Sequence, residues 1–263
     1  MTPGIFVRHF GAGPRPLLAL HCALGHSGTW RALAEELPDA VCVTAFDFPG
    51  HGASAAWDQV VDYFDASVAA SAAHLPDTPV DLVGHSYGAA VALRVAVEYP
   101  ERLRSLTLIE PVLFAAARTA APRIFDAYMA RAKPFAEALA SGEREQAARL
   151  FNRMWGDGNA WAQVPEKTRR SMAERIHLIE AQTAGIIEDS AGLLAPGRLE
   201  RAAMPTLLVE GTESPEIIAA INQMLATRLP GAHRVQIAGA GHMAPITHPH
   251  AVVTQMQALL EVT

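Results

Sequence analysis

The chain has few cysteines and no long apolar run. Cys22 and Cys42 lie twenty positions apart in apolar segments, which fits small buried side chains better than a disulfide framework or a metal site. No apolar stretch approaches the roughly eighteen residues that cross a bilayer. The N-terminal residues lack the basic start and long apolar stretch of a signal peptide. We therefore expect a reducing, cytoplasmic compartment and no membrane partner.

Charge is also sparse. Charged residues make up 18% of the chain, the formal net charge is −6, and acidic and basic residues are interspersed. This pattern argues against a nucleic-acid partner. Half of the 263 residues are apolar, so the chain can bury about three quarters of its unfolded surface. This size fits one domain with an insertion, and we expect a monomer or a homodimer.

Short apolar runs rich in β-branched residues alternate with longer helical patterns. This alternation predicts an α/β fold with a mostly parallel sheet and helices on both faces. The predicted strands lie near 16–21, 40–46, 79–84, 104–109, 205–210 and 233–238, with a weaker edge strand near 5–10. The predicted helices lie near 28–37, 58–74, 87–99, 215–228 and 248–262.

The alternation stops between about 113 and 200. This segment has Ala, Arg, Glu and Met at helical spacing, and no strand pattern interrupts it. We predict that residues 113–200 form a helical cap, or lid, inserted into a core domain made of 1–112 and 201–263. The alternative is that these helices only enlarge the core.

The sequence Gly-His-Ser-Tyr-Gly at 84–88 directly follows a predicted strand and opens a predicted helix. A strained turn of this kind lifts a serine hydroxyl out of the sheet, and the helix N-terminus that follows favours developing negative charge. The alternative is a chance loop. Ser86 is therefore a candidate nucleophile.

A serine hydroxyl needs a hydrogen-bonded base to react at neutral pH, and the chain has 11 histidines. His242 follows the last predicted strand, which places it at the carboxyl edge of the sheet, where the turn at 84–88 also projects its serine. His85 occupies the variable position of that turn, and the other histidines lie in helix-entry or surface segments. We therefore assign the base to His242, with a structural loop residue as the alternative.

Residues 21–28, His-Cys-Ala-Leu-Gly-His-Ser-Gly, also follow a predicted strand. Small residues here let main-chain N–H groups face a substrate oxygen, and acyl transfer needs two such donors for its oxyanion. We assign these donors to the backbone of Ala23 and of Tyr87. The alternative for the first segment is an ordinary tight turn.

Together with Phe46–Ser54, which reads Phe-Asp-Phe-Pro-Gly-His-Gly-Ala-Ser, and with Gly241-His242, these segments resemble the α/β-hydrolase fold family over essentially the whole chain. The resemblance implies the family's fold, a lid inserted after the strand beside the nucleophile, and hydrolysis without a cofactor or a metal. Cys22 stands where the family usually has glycine.

The family most often carries its acidic triad residue three positions after the glycine that ends the next-to-last strand. Here that glycine is Gly211 and the third residue on is Ser214, which cannot supply a negative charge. Some dehalogenase-like members take the carboxylate from the end of the strand beside the nucleophile, where this chain has Glu110. We prefer Glu110 as the acid and keep Glu213 as the alternative. Asp47 fits a turn-forming role better.

The expected chemistry is hydrolysis of a small carboxylic ester through an acyl-enzyme. The same residues would also serve hydrolysis of a C–C bond or a lactone, a lyase, or a ligand-binding protein with little turnover. Apolar residues of the predicted lid are candidate pocket walls, although each could instead belong to the lid's own core. These candidates are Trp155, Trp161, Phe125, Tyr128, Met129 and Met154.

Overall fold

A seven-stranded sheet forms the centre of the protein. The computed structural model describes residues 4–263; residues 1–3, which begin the predicted core unit 1–112, lie outside the described residues. The strands are β1 (Val7–Phe10), β2 (Arg15–Leu20), β3 (Val41–Phe46), β4 (Val80–His85), β5 (Leu103–Ile109), β6 (Thr206–Gly211) and β7 (Ala232–Ile237). Their order across the sheet is β1-β3-β2-β4-β5-β6-β7. Only β1 is antiparallel to its neighbour, so the predicted, mostly parallel sheet is confirmed.

The helices of the sheet region cover both of its faces. They are α1 (Arg31–Glu36), α2 (Tyr63–Ala72) and α3 (Tyr87–Glu98) in the first half of the chain. Six helices follow β5, and they are α4 (Phe114–Ala120), α5 (Pro122–Ala140), α6 (Arg144–Trp155), α7 (Glu166–Arg175), α8 (His177–Ala181) and α9 (Thr183–Ile186). The last three are α10 (Glu216–Arg228), α11 (Ala244–Thr247) and α12 (Pro249–Glu261). Short 3₁₀ segments lie at Ser27–Trp30, Pro100–Arg102, Trp161–Gln163 and Leu199–Arg201.

The helix predicted near 58–74 begins later than expected, at Tyr63. The side chain of Asp62 accepts hydrogen bonds from the N–H groups of Phe64 and Asp65, so it caps the helix at that point. Gln59, four residues before the first residue of the helix, has a φ of 61°, which a right-handed helix does not allow. The cap residue therefore defines this boundary more strongly than the helical composition before it.

Side-chain alternation along the strands divides the core between the two faces of the sheet. Leu18 and Leu20 of β2 pack into the cluster that includes α2, α3 and α10. Leu17 and Ala19 pack into the cluster that includes α1 and α12. Because both faces are covered, β4 is buried along its whole length.

The segment between β5 and β6 is helical, as its composition predicts, and none of its described residues is in a strand. Helix α4 packs against α10, while α5, α6 and α7 enclose a small apolar cluster of their own. The division into a core domain and a lid at 113–200 stays a prediction.

The parallel strands place the residues that follow them at one edge of the sheet, where ligands usually bind in open α/β sheets. Ser86 follows β4, Glu110 follows β5, and His242 lies in the turn after β7. In residues 4–263, no helix is long and apolar enough to cross a bilayer.

Candidate active site

Ser86 occupies a strained turn between β4 and α3. Its φ is 56° and its ψ is −117°, a backbone conformation that L-residues rarely adopt and that costs on the order of 1–3 kcal/mol. Glycines on both sides make the turn possible. A Cβ at Gly84 would overlap the carbonyl oxygen of Gly88, and a Cβ at Gly88 would overlap that of Leu20. The close packing of α3 against the sheet therefore requires glycine at both positions.

Three side chains form a continuous hydrogen-bonded chain. The Oγ of Ser86 lies 2.9 Å from the Nε2 of His242, and the Nδ1 of His242 lies 3.1 Å from the Oε2 of Glu110. A carboxylate can only accept, so the Nδ1 of His242 carries the proton and its Nε2 accepts from the serine hydroxyl. The structure thus brings together the three residues that the sequence predicts as nucleophile, base and acid.

Glu110 is completely buried and has a φ of 53° at the end of β5. Its Oε1 accepts from the N–H of Gly211 at 2.6 Å and from the hydroxyl of Ser214 at 2.7 Å. These bonds leave Oε2 for the imidazole. Ser214, which replaces the family's usual aspartate, therefore supports the carboxylate from β5.

The alternative acid, Glu213, does not occupy a comparable position. Its side chain is exposed, and its N–H donates to the carbonyl of Ala240. Within the described residues, the carboxylate hydrogen-bonded to His242 is that of Glu110.

His85 is a site residue that the sequence analysis missed. The Nε2 of His85 donates to the carbonyl oxygen of His242 at 2.8 Å, so the side chain before Ser86 holds the backbone of His242. Burial lowers the pKa of His85 to about 3, and the proximity of His242 adds to the effect. The available signal was its position at the buried carboxyl end of β4.

The turn predicted to supply an oxyanion donor lies beside Ser86. Ala23 lines the same cavity as Ser86 and His242. The next residue, Leu24, has a φ of 59°, and the N–H of Gly25 closes the turn on the carbonyl of Cys22 at 3.0 Å. Tyr87 is the first residue of α3, where a backbone N–H has no acceptor within the helix. Ala23 thus shares a cavity with Ser86 and Tyr87 directly follows it; their role as oxyanion donors stays a prediction.

Two buried histidines support this turn. His21 donates from Nδ1 to the carbonyl of Cys22 at 2.7 Å and accepts the N–H of Phe48 at Nε2. His51 accepts the N–H of Leu24 at its Nε2. Burial lowers the pKa of His21 to about 4 and holds that of His51 well below its usual range, so both are neutral. Asp47 fills the turn-forming role expected of it, accepting from the N–H groups of Ser27 and Ala53.

A cavity of about 490 Å³ opens onto Ser86 and His242. Its walls are mainly apolar and include Phe151 and Trp155 from α6. The rings of Trp155 and His242 lie 4.5 Å apart between centroids. A cavity of this size fits a small organic ligand.

Trp155 is the member of the predicted wall set that lines this cavity. Tyr128 stacks on Phe114 and lies behind Trp155, with the Tyr128 and Trp155 ring centroids 5.8 Å apart. Trp155 therefore stands between α5 and His242. Phe125 and Met129, which are also on α5, do not line the cavity either, and Met129 is exposed to solvent. Met154 lines two neighbouring cavities, one of which also reaches His242, and Trp161 lines another.

Among residues 4–263, no group of three or more His, Cys, Asp or Glu side chains is arranged to hold a metal ion. The titratable groups near Ser86 are instead organised by hydrogen bonds to one another and to the backbone.

The neutral buried histidines predict that the protein loses stability in mild acid. Each has a folded pKa below the unfolded value of about 6.5, so the unfolded chain binds more protons as the pH falls. The free energy of unfolding should decrease from about pH 6.5 downward, with a slope approaching about 1.4 kcal/mol per pH unit for each histidine. Urea unfolding at a series of pH values between about 4.5 and 7 measures this slope of the free energy of unfolding against pH. The variant His85→Gln removes one such group and should show a smaller slope; an unchanged slope would contradict this assignment.

Comparison with known proteins agrees with the geometry. A model of the alpha/beta hydrolase family matches residues 17–255. Lipase LipV of Mycobacterium tuberculosis is 37% identical over 120 residues, which are 43% of this chain and 44% of that protein. A pimeloyl-[acyl-carrier protein] methyl ester esterase of Aeromonas hydrophila is 28% identical over 254 residues, 95% of this chain and 96% of that protein. The first curated relatives are matched over less than half of their length.

Solved structures show the same fold. An alpha/beta hydrolase from Sphaerobacter thermophilus superposes with a TM-score of 0.71 at 22% identity, covering 97% of this chain and 96% of that one. Because the family model spans most of the chain and the sheet has the family's architecture, this protein belongs to the alpha/beta hydrolase family.

Proposed function

We propose that the protein hydrolyses small carboxylic esters through a covalent acyl-enzyme on Ser86. The observation that carries the proposal is the hydrogen-bonded chain from Ser86 through His242 to Glu110, at the base of a mainly apolar cavity. Relatives named as a lipase and as a methyl ester esterase support the choice of an ester bond.

In the first half-reaction, the Nε2 of His242 takes the hydroxyl proton as the Oγ of Ser86 attacks the ester carbonyl carbon. Negative charge collects on the carbonyl oxygen, which accepts hydrogen bonds from the N–H groups of Ala23 and Tyr87. The imidazolium then gives its proton to the leaving alcohol oxygen, the C–O bond breaks, and the acyl group remains on Ser86.

In the second half-reaction, water replaces the alcohol. His242 takes a proton from the water, the hydroxide oxygen attacks the acyl carbon, and the proton returns to the Oγ of Ser86 as the acid leaves. Glu110 keeps the proton on Nδ1 and stabilises the imidazolium without itself being protonated. His85 keeps the His242 backbone in place throughout.

The cavity walls set the expected substrate range. Phe151, Trp155, Met172 and Ile246 present apolar surface beside the nucleophile. Each methylene of an acyl chain buried there contributes up to about 0.8 kcal/mol, which corresponds to roughly four-fold in kcat/KM. We therefore expect kcat/KM to rise from acetyl to longer esters until the chain fills the cavity.

A panel of p-nitrophenyl esters from acetyl to octanoyl, with a lactone and a 1,3-dicarbonyl compound, tests the proposal. We expect ester turnover and, on acid quenching, a mass increase equal to one acyl group on the peptide that contains Ser86. An organophosphonate should label the same serine. Ser86→Ala is the matched control and should show neither adduct.

Turnover of the lactone or the dicarbonyl without ester turnover would contradict ester hydrolysis and indicate that the protein cleaves a lactone or a C–C bond instead. Turnover without a trapped acyl group would indicate a lyase. Labelling without turnover of any substrate in the panel would indicate a ligand-binding protein. The cytoplasmic location expected from two free thiols stays a prediction.

A further inference from the structure

The turn at residues 22–25 carries one of the proposed oxyanion donors in a conformation that needs support. Leu24 has a φ of 59°, and for a side chain other than glycine this left-handed region costs roughly 1–2 kcal/mol. The residue before it is Ala23, whose N–H is the proposed donor. The support that keeps Leu24 in this conformation therefore also orients Ala23.

One of the bonds that hold the turn comes from an imidazole distant in sequence. The N–H of Leu24 donates to the Nε2 of His51 at 3.1 Å. The His51 side chain is completely buried. An Nε2 that accepts cannot carry a proton, so the proton of the neutral ring is on Nδ1. His51 is thus locked in one tautomer with its acceptor facing the turn.

The other side of the ring is held equally firmly. The Nδ1 of His51 lies 3.0 Å from the hydroxyl of Tyr63 and 3.2 Å from the carbonyl oxygen of Pro49. The Tyr63 hydroxyl also donates to that carbonyl at 2.9 Å. Tyr63 is itself completely buried. The imidazole of His51 is hydrogen-bonded at both of its nitrogens, so it cannot rotate without breaking these bonds.

The backbone that carries His51 is rigid as well. Asp47 accepts the N–H of Ala53 at 2.7 Å across this turn, and a Cβ at Gly52 would overlap the Asp47 carboxylate. From the end of α7, the Nε of Arg175 donates to the carbonyl of Gly50 at 3.2 Å. The imidazole therefore projects from a braced loop toward the Ala23–Leu24 turn.

We propose that His51 is a positioning residue for the oxyanion hole: its Nε2 accepts the Leu24 N–H and so keeps the Ala23 N–H aligned with the reacting carbonyl. The inference rests on the proposed ester hydrolysis for its effect on rate. The hydrogen bond itself can be tested without any substrate.

Two substitutions distinguish the hydrogen bond at the Nε2 of His51 from those at its Nδ1. The amide oxygen of His51→Gln reaches the place of Nε2 and can still accept from Leu24. The shorter side chain of His51→Asn places its amide at the Nδ1 edge, so it keeps a partner for Pro49 and Tyr63 but loses the Leu24 acceptor. Both variants are polar and similar in size, which makes them matched controls for folding.

The kinetic test compares an ester with its thionoester, in which sulfur replaces the carbonyl oxygen and accepts hydrogen bonds weakly. Displacing a group that orients the reacting atoms by about 1 Å can cost about 10²-fold in kcat. We expect His51→Asn to lower kcat for the ester by roughly 10-fold to 10²-fold, with a much smaller loss for the thionoester and little change in KM. His51→Gln should recover most of the ester rate. An equal loss on both substrates, or equal behaviour of the two variants, would overturn the proposal.

A second measurement does not depend on turnover. In protein labelled with ¹⁵N, a scalar coupling across the hydrogen bond should connect the Leu24 amide nitrogen to the Nε2 of His51. The Leu24 amide should exchange with solvent at least 10-fold faster in His51→Asn than in His51→Gln. Absence of the coupling in the wild-type protein would overturn the proposal even if ester hydrolysis is established. Its presence in a protein that fails to hydrolyse esters would refute the proposed function and leave the bond to Leu24 in place.

Discussion

Replacing Ser86 with alanine is expected to lower kcat for ester hydrolysis by about 10⁶-fold, the scale seen when a serine hydrolase loses its nucleophile. In the proposed mechanism the Oγ of Ser86 forms the acyl bond, and the Nε2 of His242, 2.9 Å away, takes its proton. Steady-state hydrolysis of the best p-nitrophenyl ester measures the effect.

The control for this prediction is that the rate losses of the Ser86 and His242 variants should not add up in the double variant. His242→Ala should cost nearly as much as Ser86→Ala, and the double variant should be no slower than either single one, because nucleophile and base act as a unit. Retention of more than about one hundredth of the wild-type rate in Ser86→Ala would contradict the assignment. Thermal unfolding of each variant confirms that the comparison is made between folded proteins.

Replacing Glu110 with glutamine is expected to lower kcat by about 10⁴-fold, as removal of the orienting carboxylate does in other triads. Glutamine keeps the volume and can still accept from Gly211 and Ser214, which now donate to Oε1. It presents an amide to His242 and supplies no charge for the imidazolium. The loss should therefore appear in kcat, with the fold intact.

The matched control is Glu213→Gln. It makes the same chemical change at an exposed position next to Ser214. Because the Glu213 side chain has no bond to the imidazole, this variant should stay within about two-fold of the wild type. A collapse of activity in Glu213→Gln together with near-normal activity in Glu110→Gln would reverse the assignment of the acid.

The sheet could be predicted from sequence because its signals are local. Most strands are short apolar runs followed by a glycine, a histidine or a turn, and the seven predicted runs lie within two residues of the observed strands at every end. The start of α2 was placed too early because the predicted range relied on composition, whereas the Asp62 side chain defines the boundary.

The pocket walls could not be predicted in the same way. All six candidates are apolar residues in helical segments, and helical spacing alone does not say which face meets the sheet edge. Of these, Trp155 reaches the cavity of Ser86. Tyr128 is separated from His242 by the Trp155 ring, a relation that depends on how α5 and α6 pack against each other.

The sequence by itself predicted the strained turn at Ser86, the position of His242 after the last strand and the parallel sheet that brings them to one edge, because each depends on residues close together in the chain. It also identified Glu110 as a carboxylate at the tip of β5. Only the tertiary structure decided how that carboxylate is held, by Gly211 and Ser214 from β6 and the turn after it. The same is true of His85 on the backbone of His242 and of His51 on Leu24. These bonds join residues 27 to 157 positions apart, and such partners become visible only when the sheet has brought its strands together.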